Sequence, residues 1–222
     1  LFTQEGFEVE TLRLALPPFS EFVDPRGLSA AAQQLSIEAH AEGFEYLSLG
    51  PAKTDDPEAY LRIPEALSAT HGVFFSGMLT TPQGAVSLSA AKACAQIIAR
   101  LAALSPDGFA NLNFCASANV PPYAPFFPAA YGENALPAFA LALEAADLAV
   151  SVFSAAKSLE EARRTLIAEV EGAASKLEAA AQKLTRIYGY DFKGLDFTLA
   201  PFPEEKASIA RALEALGLPA FG

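Results

Sequence analysis

The chain has 222 residues, 52% of them hydrophobic and 18% charged, with a formal net charge of −11. That apolar content excludes intrinsic disorder as the general state, and the length suits one large domain or two small ones. A sequence pI near 4.6 excludes nucleic acid as the main partner, because phosphate binding needs clustered Lys and Arg, and it disfavours anionic membrane surfaces for the same reason.

Residues Phe7 to Leu16 alternate apolar and polar side chains before Pro17-Pro18, which predicts a strand. Leu28 to Ala41 is alanine-rich with helical spacing, and Gly43 stops it. Phe44 to Leu49 predicts a second strand, closed by Gly50-Pro51, and Tyr60 to Ala69 a short helix. Gly72 to Met78 predicts a third strand and Ser87 to Leu104 a helix. Phe109 to Cys115 predicts a fourth strand, running into a proline-rich loop.

The second half is more helical. Ala135 to Phe153 is apolar nearly all round and predicts one central helix. It is also the best membrane-span candidate, but Glu144 and Asp147 interrupt it, so it is read as a buried helix and no membrane span is expected. Ser158 to Tyr188 carries a capping box (Ser158, Glu161), apolar residues at three-to-four spacing and Gly189 as a stop. Leu195 to Leu199 predicts a fifth strand and Glu204 to Leu216 a last helix. Strands alternating with helices predict an α/β fold with a mostly parallel sheet and crossover helices, taken as a single domain over 1–222.

The chain begins at Leu1 and its only methionine is Met78, so the N-terminus is expected not to be a translation start. No stretch reads as a signal peptide. Two cysteines, Cys94 and Cys115, are too few for a disulfide framework in a chain this size, and a cytoplasmic location is expected. His40 and His71 have no second ligand at metal-binding spacing, so no metal site is expected. Fingerprints for dinucleotides, phosphates, zinc proteases and the nucleophile elbow of hydrolases are missing, and the sequence identifies no cofactor.

The densest polar segment is Gly108 to Glu133. Asn111, Asn113 and Cys115 lie at the end of the fourth predicted strand, where parallel sheets gather ligands, and Asn119, Tyr123 and Tyr131 follow on the stiff loop. The functional reading makes Cys115 a catalytic thiol of depressed pKa, with Arg13, Asn111, Asn113 and Tyr123 binding a carboxylate or carbonyl substrate. The structural alternative makes Cys115 a small buried apolar residue and the asparagines partners of backbone groups. Glu144 and Asp147, three apart on the predicted central helix, are read either as a carboxylate site for substrate or cation, with Arg13 as a partner, or as a polar stripe facing water. Arg186-Ile-Tyr-Gly-Tyr190 is close to the short motif around the glycine of glycyl radical enzymes, but a helix stop already accounts for Gly189.

Five stretches carry a resemblance: VETLRLALPPF (9–19), GFEYLSLGPA (43–52), GFANLNFCASANVPPYAPFFPAAY (108–131), FALALEAADLA (139–149) and GLDFTLAPFP (194–203). Together they resemble the uncharacterised family known as domain of unknown function 711. Members of that family are similar in fold to pyruvate formate-lyase, an α/β barrel of the glycyl-radical-enzyme type. The resemblance therefore implies part of such a barrel, without the radical chemistry. Members run on into a second half, so this chain is expected to match their N-terminal half, either as a half-length relative or with the other half missing or on a separate chain. The five strands predicted here do not close such a barrel, which implies a partner, either a second copy or a second half-chain. Three roles follow: a small-molecule enzyme, a non-catalytic ligand-binding or regulatory module, or an assembly subunit that completes a larger barrel.

Overall fold

The computed structural model describes residues 1–133, 136–200 and 204–219. Contacts gather into two compact units, Val9–Leu136 and Leu1–Glu8 with Pro137–Gly222.

The first unit holds four parallel strands, β1 (Arg13–Ala15), β2 (Tyr46–Ala52), β3 (Val73–Met78) and β4 (Phe114–Ser117), side by side in chain order. Helices α1 (Leu28–Ala41), α2 (Pro57–Ser68) and α3 (Leu88–Ala102) connect them. Asp56 caps α2 through the Ala59 amide, and Ser87 caps α3 through the Ala90 amide. Leu47, Leu49, Val73, Phe75 and Phe114 point from the strands into one core with Leu28 and Ala32 of α1, Ile63 of α2 and Ile97 and Leu101 of α3. Phe19, fully buried just beyond β1, meets Phe75 edge-to-face at 5.4 Å and plugs this core.

Side chains alternate across a strand, so Tyr46, Ser48, Phe74, Ser76 and Cys115 face the other side of the sheet. The chain after β4 folds back over that side. The Ser48 hydroxyl donates to the Ala130 carbonyl at 2.7 Å, and Phe127 meets Phe74 at 5.3 Å between ring centres.

In the second unit, β5 (Ala138–Glu144) pairs in parallel with β6 (Asp191–Thr198), and α4 (Ala146–Ala155) and α5 (Leu159–Tyr188) make the crossover. A last helix, α6 (Ile209–Ala215), packs on α4. The α5 boundaries agree with the sequence. Ser158 accepts from the Glu161 amide, the Glu161 carboxylate reaches back to the Lys157 amide, and Gly189 ends the helix at φ 74°.

Three predicted elements are corrected. Residues 138–153 are not one helix: Ala138–Glu144 is a strand, and a helix starts only at Ala146, while Ala135 lies outside the described residues. Glu144 and Asp147 therefore share no helix face; Glu144 ends β5 and Asp147 lies in the first turn of α4. Alanine made the segment look helical, but pairing with β6 overrides that local preference. Phe109–Asn113 is a 3-10 turn, with β4 starting only at Phe114. The first strand shrinks to Arg13–Ala15, because only there does β2 lie alongside. Pro201, Phe202 and Pro203, which close the stretch GLDFTLAPFP (194–203), lie outside the described residues.

Candidate functional site

The four parallel strands end on the same side, and a cleft of about 550 Å³ lies across those ends. Each strand delivers lining residues as it leaves the sheet. β1 leads to Pro18 and Glu21, β2 to Lys53, β3 to Met78 and Thr80, and β4 to Ser117 and Asn119. The returning chain adds Tyr131 and Glu133. A sheet whose strands all run one way gathers its turns at one edge, so polar groups from distant parts of the sequence converge there.

Several contacts fix this edge. Gly50, at φ 74°, sits where the β2–β3 register shifts, and a Cβ there would lie 2.7 Å from the Pro17 carbonyl oxygen. Only glycine lets β2 approach the Pro17-Pro18 turn so closely. The Tyr60 hydroxyl, nearly fully buried, donates to the Met78 carbonyl at 2.6 Å and reaches the Ala52 carbonyl at 3.0 Å, tying the ends of β3 and β2 together. Burial pushes the Tyr60 phenol well above its ordinary pKa, so it stays a donor. Ser117 donates to the Gly77 carbonyl at 3.3 Å. Asn119 holds a left-handed backbone (φ 54°), with its amide donating to the Thr80 hydroxyl at 3.3 Å. Lys53 Nζ lies 3.2 Å from Glu21 Oε1. The Tyr131 hydroxyl donates to the Val120 carbonyl at 3.1 Å; burial, and then the Glu133 carboxylate, raise its pKa.

The residues singled out from the sequence lie elsewhere. Arg13 is at the start of β1, the opposite end of the sheet. Its guanidinium sits 5.5 Å from the Tyr46 ring centre and 5.8 Å from that of Phe127, and its Nε donates to Thr11 Oγ1 at 2.7 Å. Asn111 and Asn113 precede β4 instead of ending it. Asn113 donates to the Val73 carbonyl at 3.0 Å, and the buried Asn111 Oδ1 has no hydrogen-bond partner among the described residues. Cys115 lies within β4 opposite Ser76, half-buried and outside the cleft. Burial pushes its thiol up to about 11, opposite to the expected depression. Tyr123 lies in the covering loop at φ 68°, its amide donating to the Tyr131 carbonyl at 2.8 Å. Glu144 is an exposed residue of the second unit.

Of the polar residues named from the sequence, Asn119 and Tyr131 do line the cleft. Lys53, Thr80, Ser117 and Glu133 also line the cleft and were not singled out from the sequence. For Lys53, Thr80 and Ser117 the signal was present: each follows a predicted strand by a few residues, so the strand-end rule, applied to every strand instead of one, finds them, whereas Glu133 arrives only with the returning chain.

Among the described residues, no group of three or more His, Cys, Asp or Glu is placed to hold a metal ion, and no helix is long and apolar enough to cross a membrane.

The sequence model of the family described as "Uncharacterised ACR (DUF711)" matches residues 1–222. The chain is 29% identical over 241 aligned residues to a UPF0210 protein of Pyrobaculum islandicum, with 98% of this chain and 50% of the relative covered. It is 30% identical over 187 residues to a UPF0210 protein of Methanosarcina barkeri (81% and 41% covered) and 27% identical over 237 residues to one of Acetivibrio thermocellus (98% and 51%). The chain spans about half the length of these curated relatives. With the match running through every residue, the chain belongs to the DUF711 family.

Proposed function

We propose that residues 9–136 form a small-molecule binding site whose ligand lies across the C-terminal edge of the four-stranded sheet. The carrying observation is the cleft of about 550 Å³ onto which four successive strand ends deliver polar side chains. That volume suits a small metabolite. In an enzymatic form of this reading, Lys53 and the hydroxyls of Thr80, Ser117 and Tyr131 are the groups within reach of a ligand. Thiol catalysis by Cys115 has less support, because the thiol is held protonated at neutral pH and does not line the cleft. A thermal-shift screen of small metabolites tests the reading. Stabilisation that is lost in Asn119→Ala and Thr80→Val is expected; stabilisation by compounds that is indifferent to both substitutions overturns it.

The second reading concerns assembly. Strands in chain order, with helices α1 to α3 sharing one core on one side, follow the winding of an α/β barrel rather than that of a doubly wound sheet. We propose that the four-stranded sheet is one arc of a barrel, as the resemblance to the pyruvate formate-lyase fold implies, and that its β4 edge takes further strands from a second copy or from the half of the relatives this chain does not span. Sedimentation of the 222-residue chain tests this: self-association is expected, and a stable monomer at high concentration counts against a second copy. A reducing compartment such as the cytoplasm suits the two free thiols, Cys94 and Cys115.

A further inference from the structure

We propose that the ligand of the strand-end cleft carries a positive charge, an organic ammonium group, and that Glu133 is its counter-ion. The inference rests on the proposed binding site and adds the class of ligand.

Among the described residues, three charged side chains line the cleft: Glu21, Lys53 and Glu133. Lys53 and Glu21 neutralise one another across 3.2 Å, each side chain about one-third exposed (37% and 34%). Glu133 has no ion-pair partner among the described residues, so the lining carries one uncompensated negative charge. Among the neutral groups, Ser117 points the same way. Ser117 gives its proton to the Gly77 carbonyl, so its oxygen can only accept from a ligand, whereas Thr80 Oγ1 and Thr81 Oγ1, which accept from the Asn119 and Ala85 amides, can turn either an O–H or a lone pair to it. An anionic ligand would have to take Lys53 from Glu21 and then meet Glu133. An ammonium meets the Glu133 carboxylate and the accepting Ser117 oxygen, and the two threonine hydroxyls can turn a lone pair to it. The net charge of −11 adds a long-range attraction for cations. The Tyr131 phenol already feels the Glu133 carboxylate, which places that charge at the cleft wall instead of in remote solvent.

The probes are putrescine, butyrate, 1,4-butanediol and calcium chloride. Each is titrated against the 222-residue chain by amide NMR, following the Thr80, Ser117 and Asn119 signals in the wild type, Glu133→Gln and Lys53→Met. Putrescine is expected to move these signals and butyrate to leave them unmoved. Glu133→Gln should weaken putrescine binding about two- to fivefold, the range for an exposed ion pair. Lys53→Met should tighten it by a similar factor, because it removes the one positive charge that lines the cleft among the described residues. The opposite signs separate a specific counter-ion from general loss of structure, and both side chains are exposed enough that the variants should fold. The assignment is overturned if butyrate binds better than putrescine, if calcium alone moves the signals, or if Glu133→Gln binds putrescine as tightly as the wild type. Shifts from butanediol without putrescine would overturn the charge class and leave the site standing. If no probe moves these signals, the ammonium assignment fails, and the site itself is then decided by the metabolite screen.

Discussion

Replacing Gly50 by alanine should be among the most damaging single-methyl additions in the first unit. The residue sits at φ 74°, where an L side chain costs about 1–2 kcal/mol. The new Cβ would also lie 2.7 Å from the Pro17 carbonyl oxygen, 2.9 Å from its carbon and 3.0 Å from the Pro18 Cα. All three are backbone atoms and cannot swing aside. The Pro17-Pro18 turn is held on both sides, by the Leu16 amide donating to the Ser48 carbonyl at 2.9 Å and by the fully buried Phe19 ring in the core. Relief therefore requires a backbone shift, of the kind that costs about 1–3 kcal/mol when a core is overpacked. The sum is about 2–5 kcal/mol, a large share of the stability of an ordinary domain. Gly84→Ala supplies the control: Gly84 has a similar φ of 81° but nothing within 4 Å of its Cβ position. Urea unfolding of both variants should show Gly50→Ala exceeding Gly84→Ala by about 1–3 kcal/mol at unchanged m. Equal losses would refute the close-approach argument.

Tyr60→Phe removes the hydroxyl shared by the Met78 and Ala52 carbonyls and should cost about 1–3 kcal/mol in urea unfolding; a loss under half a kilocalorie would mean that water replaces it. Gly77→Ala places a Cβ 2.7 Å from Cys94 Sγ and 2.9 Å from Tyr60 Cε1, so part of its destabilisation should be relieved in the Gly77→Ala/Cys94→Ala double variant; strict additivity would show that the sulfur is not the obstacle. Burial raises both thiols from 9.0 to about 11, so the unfolded chain ionises first on going alkaline. Stability from these groups is complete below about pH 9 and is lost towards pH 11; the urea midpoint should fall across that window, and less steeply in Cys115→Ala. Alkylation of Cys115 by iodoacetamide in the folded protein should accordingly be slow at pH 8 and accelerate only as the pH nears 11; rapid labelling at pH 7 would restore the reactive thiol.

The alternation of α1, β2, α2, β3 and α3 was legible because each segment is bounded by residues that dictate local geometry. Asp56 and Ser87 cap helices, and Gly43, Gly50 and Gly72 allow the left-handed turns. The long helix α5 was legible for the same reason, from Ser158 to Gly189. The failures occur where pairing decides. Phe139, Leu141 and Leu143 alternate with alanines as a strand should, but helix preference and the lack of a glycine or proline before Ala146 hid the break, and only β6 makes the segment a strand. The cleft was less legible still. The strand-end rule was applied to Phe109–Cys115, whose true strand starts five residues later, so Asn111 and Asn113 came out on the wrong edge. Lys53, Thr80 and Ser117 are far apart in sequence and carry no motif; only the shared direction of β2, β3 and β4 brings them together.

The most direct test of the account is a crystal structure of the 222-residue chain soaked with whichever metabolite gives the largest thermal shift. The account predicts ligand density at the strand-end cleft, touching Lys53, Thr80, Asn119 or Glu133. Density instead at the opposite edge of the sheet, beside Arg13 or Asn113, would contradict it.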